Sequence, residues 1–426
     1  MKHYASIFND VIGPVMRGPS SSHCAAALRI GRLARDLMDG ELTEVRLEFD
    51  RNGSLPTTHE SHGSDMGLFG GLLGWDAADE RLPESPRALR DAGVGVTITA
   101  VDTRDPHPNT YRLAVCNARE QHSLVAISTG GGMIEVIGID GFTLSIEGDY
   151  HETLLWVDGD GRALVRTLSR GIEADAIILH ESGTGQLVEV KADRFVPADI
   201  VAGLKVKRLA PVLPVVSRKG MSVPFATCAE MMRHDARRGT PLWKLAAEYE
   251  MERGGLTESE VVARMVDIVR IVRRAIAQGI AGTRYDDRIL GHQSGQFDER
   301  MQSGRLLGGG ALNRIVMYVT AVMEVKSALG VIVAAPTAGA CAALPGAVVA
   351  MAEEMALDED AMAKAMLAGG IVGVFIATRW TFAAEVGGCQ AECGAPHPWQ
   401  SSCNGMQYGA YAPSTAAEVV PSPWPA

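Results

Sequence analysis

Four short segments of this 426-residue chain hold residue types that do chemistry. Gly18-Pro19-Ser20-Ser21-Ser22-His23 sets three hydroxyls and an imidazole ahead of an apolar run. Serines at a helix start cap its free N–H groups, and the same terminus attracts an anion such as a carboxylate. The plainer reading is a well-capped helix with an incidental histidine. Pro56-Thr57-Thr58-His59-Glu60-Ser61-His62-Gly63-Ser64-Asp65 places two histidines three apart among hydroxyl and acidic groups. A neutral imidazole suits proton transfer near neutral pH, so this loop could supply a general base. An ordinary polar loop would carry the same letters.

The other two segments carry thiols. Ala335-Pro336-Thr337-Ala338-Gly339-Ala340-Cys341 precedes a helix, whose N-terminus favours a thiolate; a small buried cysteine is the common alternative. In Glu385-Val386-Gly387-Gly388-Cys389-Gln390-Ala391-Glu392-Cys393-Gly394 the two cysteines would share a face of a helix. With Cys403 they make a set of four, and dispersed thiols at glycine-flanked turns favour metal over disulfide. Zinc is the plainer metal; an iron–sulfur cluster on three thiolates would leave one iron open to substrate.

The elements that must position these residues fall in two halves. Helical spacing runs from Cys24 to Met38, with a second helix over about 63–73. Alternation predicts strands at Glu44–Phe49, Val94–Val101, Tyr111–Val115 and Ile134–Ile139. From 139 to 196 a strand, a helix and a strand predict a small β-α-β unit, read as ACT-like or as a linker. Beyond 197 the pattern is helical: 223–238, 242–253, 258–278, 312–329 and 358–377. The predicted fold is α+β, with an α/β domain over 1–138, the ACT-like segment over 139–196 and an all-α catalytic domain over 197–395. The proline-rich stretch 396–426 lacks lysine, arginine and helical period, and reads as a disordered tail.

Composition bounds the partners. A net charge of −11 gives no basic footprint for nucleic acid. The N-terminal letters show no apolar signal core, and seven cysteines in a chain of this size fit a reducing cytoplasm. Ser327–Ala352 is uncharged for 26 residues, but Pro336 and Pro345 interrupt it, which favours a buried core over a membrane span. An apolar all-α half is compatible with a homodimer.

Taken in order, GPSSSH, SHGSD, APTAGAC and GGCQAECG resemble the motifs of the iron–sulfur, PLP-independent L-serine dehydratases, in the fused form with the β-type half first. The resemblance runs over roughly residues 1–395. It implies a lyase of amino-acid metabolism that converts L-serine to pyruvate and ammonia, with a [4Fe–4S] cluster whose open iron polarises the leaving hydroxyl. Cys341 and Cys389 match two ligand positions, and Cys393 and Cys403 are both candidates for the third. His62 would take the Cα proton, His23 or Ser20, Ser21 and Ser22 would hold the carboxylate, and Thr337 joins the substrate-binding set. After Ala395 the letters depart from the family pattern, as a truncation or a frame change would produce. A related lyase such as a cysteine desulfidase, and a non-catalytic amino-acid or iron–sulfur sensor, are the other readings.

Overall fold

The computed structural model describes residues 4–284, 286 and 290–382. The chain forms two units, Met1–Ser21 with Ser222–Ala426, and Ser22–Met221. The first opens with a helical turn, Ile7–Val11, and the short strand Val15–Met16 (β1) before the chain passes, at Ser22, into the second.

In the second unit a wide helical turn, Ser21–Ala25, leads into α1 (Ala26–Asp36). There follow β2 (Glu44–Asp50), α2 (Leu55–Thr58), α3 (Ser64–Leu72) and α4 (Ser85–Asp91). Next come β3 (Gly95–Val101), β4 (Thr110–Cys116), β5 (Gln121–Gly130), β6 (Met133–Ile139) and β7 (Phe142–Ile146). They make a six-stranded sheet in the order β3-β2-β4-β5-β6-β7, with β2 parallel to β3 and the other pairs antiparallel. Pairing of Leu47 with Leu113, and of Leu113 with Leu124, puts one apolar row on the face that α1 and α3 cover. Ile30, Leu33, Leu37, Leu68 and Leu72 fill the same core, and full burial of each such side chain stabilises by about 1.5–3 kcal/mol.

Glycine lets the two helices touch. A Cβ on Gly67 would lie 2.0 Å from the Cys24 carbonyl oxygen, and one on Gly71 would lie 2.2 Å from that of Leu28. Backbone therefore meets backbone, and the start of α3 sits beside the start of α1. That contact is what brings the histidine loop to His23.

A four-stranded antiparallel sheet completes this unit: β8 (His151–Val157), β9 (Ala176–Ser182), β10 (Gly185–Ala192) and β11 (Lys205–Leu209), in the order β11-β8-β10-β9, with α5 (Gly161–Gly171) packed on it. The expected strand, helix and strand are present as β8, α5 and β9, but within a four-stranded sheet, and no ACT-like subdomain stands out among the described residues. The two-residue turn Gly183-Thr184 folds β10 back on β9 as a hairpin, so β10 rather than β9 lies beside β8. The expected helical onset at 197 also shifts, because β11 pairs with β8.

The first unit is built from α6 (Cys228–Asp235), α7 (Leu242–Gly254), α8 (Glu258–Ala281), α9 (Ser294–Gln302), α10 (Gly310–Ser327), β12 (Ile332–Val333), α11 (Ala343–Glu354) and α12 (Glu359–Ala377). Reciprocal capping by Thr227 with Glu230 and Thr257 with Glu260 starts two of these helices. The all-α expectation holds apart from the short β1–β12 pair. The uncharged stretch 327–352 is not one helix: α10 ends at Ser327, and β12 and a buried loop precede α11. Among the described residues α12 is long and apolar enough to cross a membrane, yet 61% of that window is buried against its own unit. The N-terminal segment is tied in by Glu250, which accepts from the Ser6 hydroxyl (3.1 Å) and the Ile7 N–H (2.5 Å), and burial raises its carboxyl.

Candidate active site

His23 lies in the turn ahead of α1 and is buried. Its Nε2 is 3.1 Å from the Thr58 hydroxyl, which itself donates to the Ser54 carbonyl at 2.7 Å. A hydroxyl has one proton to give, so Nε2 must be the protonated nitrogen. Nδ1 is then the acceptor, and it faces the Ser22 hydroxyl at 3.2 Å. Thr58 and Ser22 therefore fix both the tautomer and the plane of this ring.

The histidine loop climbs from α2 to α3 in a tight coil. The His62 N–H donates to Thr58 (2.8 Å) and the Ser64 N–H to His59 (2.7 Å). Gly63, at φ 83°, supplies the left-handed step that starts α3. His62 is exposed and meets His23 edge to face, with ring centroids 4.8 Å apart and planes at 84°. His59 donates from Nδ1 to both Asp65 oxygens, at 2.8 and 2.9 Å, while its ring lies against Phe49. Burial raises the Asp65 carboxyl, and the hydrogen bond and charge of His59 oppose that rise. Next to it the hydroxyls of Ser64 and Tyr111 meet at 2.9 Å.

The structure brings Ser22, His23 and His62 together. It pairs His23 with Thr58 and His59 with Asp65, contacts of the expected histidine segment that its spacing did not predict. Their signal was the six-residue offset from His59 to Asp65 across a glycine, which is not a helical spacing. Ser20, Ser21, Thr337 and Cys341 belong to the helical unit. There Ser21 Oγ accepts from the Ala338 N–H (3.2 Å) and Thr337 Oγ1 from the Ala340 N–H (3.2 Å), so both hydroxyls shape the 335–341 loop. Thr337 and Cys341 are buried in that loop.

The expected [4Fe–4S] cluster is corrected by the same coordinates. Among the described residues no group of three or more His, Cys, Asp or Glu is placed to hold a metal ion. The described cysteines are Cys24, Cys116, Cys228 and Cys341, none in a disulfide, and they divide two and two between the units. Burial pushes the Cys24 thiol up to about 12 and raises those of Cys116 and Cys228, away from the thiolate that a metal needs. Cys389, Cys393 and Cys403 lie outside the described residues, as does the stretch 396–426.

Imidazoles held by hydroxyls and a carboxylate lie together at the joined starts of two helices, a set of groups able to exchange protons. The family profile described as serine dehydratase alpha chain matches residues 237–397. A probable L-serine dehydratase beta chain of Bacillus subtilis is 40% identical over 157 residues, which is 37% of this chain and 70% of that protein. The probable alpha chain of the same organism is 27% identical over 146 residues, 34% of this chain and 49% of its own length. An L-serine dehydratase of Streptomyces coelicolor is 25% identical over 392 residues, 89% of this chain and 73% of that protein. The chain belongs to the L-serine dehydratase family, and it carries beta-chain-like and alpha-chain-like sequence in one polypeptide. It spans about half of the alpha chain it matches and about seven tenths of the beta chain and the single-chain relative.

Proposed function

We propose that this chain eliminates water from L-serine to give pyruvate and ammonia. The observation that carries the reading is the contact of the His62 ring with His23, with His62 on the same coil as the His59–Asp65 dyad, in a chain of this family. His62, exposed and braced by a ring of fixed tautomer, takes the Cα proton. His59 in its protonated form gives a proton to the leaving hydroxyl, and the Asp65 carboxylate stabilises that imidazolium. The Cβ–O bond breaks as the Cα–Cβ double bond forms, and water and an enamine result. The enamine tautomerises to an imine, which water hydrolyses to pyruvate and ammonia. His23 is a positioning residue, and the turn at Ser22 ahead of α1 offers its backbone N–H groups to the substrate carboxylate.

The test is pyruvate formation from L-serine by the purified chain with its thiols kept reduced, wild type against His62→Gln. Loss of a general base lowers kcat by about 10²–10⁴-fold. A wild-type chain that releases no pyruvate, or a His62→Gln variant with unchanged kcat, overturns the reading.

A further inference from the structure

Asn109 and Ser128 meet where β4 begins, one step beyond the pair Thr110–Ile127, and the Ser128 N–H donates to the Asn109 carbonyl at 3.1 Å. Cross-strand neighbours in an antiparallel ladder share a face. Here it is the face that carries Tyr111, Leu113, Leu124 and Ala126 into the core. Asn109 and Ser128 are both 0% exposed. Nevertheless Asn109 Nδ2 and Ser128 Oγ have no hydrogen-bond partner among the described residues. Two adjacent buried polar atoms left unpaired are costly, and a ligand that pairs both would remove that cost.

The surroundings say which ligand. The Ser54 hydroxyl donates to Asn109 Oδ1, and the Nδ2 hydrogens are left to donate. Two residues after Ser128, the buried turn Gly130-Gly131-Gly132 has φ of 105°, 61° and 90°. Successive N–H groups of a turn like this make an anion-binding concavity. Arg29 of α1, also buried, donates to the Gly132 carbonyl at 2.5 Å and brings a positive charge to the turn. A carboxylate accepts from the amide and the hydroxyl and, unlike water, also meets the positive charge of Arg29. The donor set suits the carboxylate.

We propose that Asn109, Ser128 and the Gly130–Gly132 turn form an enclosed subsite for a small carboxylate, separate from the seat at Ser22. Hydrogen bonds run from it through Ser54 and Thr58 to His23. Its occupancy therefore bears on the ring that braces His62. The binding claim stands without the dehydratase reading, and only an effect on turnover rests on that reading.

The probe is acetate, added to the full chain at constant ionic strength against chloride, with ethanolamine (serine without its carboxylate) as the second arm. Thermal unfolding and saturation-transfer NMR of the acetate methyl give the readout. Acetate is expected to raise the melting temperature in a saturable way, and ethanolamine is not. Ser128→Ala is expected to weaken acetate about tenfold without lowering the melting temperature of the unliganded chain, and Asn109→Asp to abolish binding by like-charge repulsion. Acetate that behaves as chloride does overturns the proposal. So does a folded Ser128→Ala chain that binds acetate as wild type does, the arm that holds even if Asn109→Asp does not fold.

Discussion

The Nδ1 of His59 stands 2.8 Å from one oxygen of Asp65 and 2.9 Å from the other, so a single imidazole N–H is shared by both ends of a carboxylate. That geometry commits His59 to one tautomer and leaves Nε2 as the nitrogen that exchanges protons. Asp65→Asn keeps the shape but loses the charge that stabilises an imidazolium. We expect kcat on L-serine to fall by about 10²-fold or more with little change in KM, as for an interaction made in the transition state. A KM rise at constant kcat would instead make Asp65 part of the substrate seat.

In the proposed reaction Thr58 acts through His23. It accepts from Nε2 while donating to Ser54, and a valine of the same shape can do neither. Thr58→Val should lower kcat about tenfold, and Thr58→Ser, which restores the hydroxyl, should recover most of it. If both variants are equally slow, the missing methyl rather than the hydrogen bond is responsible.

Much of this arrangement was legible in the letters, and the failures have a common cause. Alternation found β2, β3, β4 and β6, and helical period found α1, α3, α5 and the long helices, because each buries one face. The pairing order in the second sheet was hidden, since the β9–β10 hairpin depends on Gly183-Thr184 and on which strand reaches β8 first. Short elements such as β7 and α4 carry too few residues to show a period. In the site, His23 and His62 were visible as chemistry-bearing residues. The partners that fix them were not, because Thr58 to His23 and Ser54 to Asn109 are contacts across 35 and 55 residues. The cluster expectation rested on dispersed thiols and motif likeness, and neither says whether three donors converge.

The contact between α1 and α3 leaves no room for side chains at Gly67 and Gly71. A Cβ at Gly71 would lie 2.2 Å from the Leu28 carbonyl and 2.8 Å from the Arg32 nitrogen, both backbone atoms that cannot swing away. Gly71→Ala should therefore destabilise the chain by about 1–3 kcal/mol, the usual cost of overpacking, despite the better helix propensity of alanine. It should also slow turnover by separating the helix starts that carry His23 and His62. A denaturation midpoint equal to wild type would show that the helices part at no cost.

Lys191 on β10 reaches three acceptors at once: Glu152 of β8 at 2.9 Å, Glu189 of its own strand at 3.1 Å and the Ser145 carbonyl of β7 at 2.7 Å. His180 of β9 closes the array against Glu189 at 2.7 Å. Glu152 and Glu189 are 0% and 1% exposed. Burial drives the Glu152 carboxyl well above the ordinary range, and the charge of Lys191 opposes this only in part. A raised pKa means that the folded chain binds a proton which the unfolded chain has released. Stability is therefore full below the ordinary glutamate range and falls as pH rises toward the raised value. Lys191 is also raised, so its own contribution persists through that window and fades only above the ordinary lysine range. Glu152→Gln cannot ionise, and its melting temperature should gain on wild type steadily as pH rises from 5 toward 8. Lys191→Met removes the cation that the buried Glu152 and Glu189 share, a loss of about 3–5 kcal/mol near neutral pH. Parallel melting curves for wild type and Glu152→Gln across that range, or a Lys191→Met chain as stable as wild type, would show that the array carries no net charge coupling.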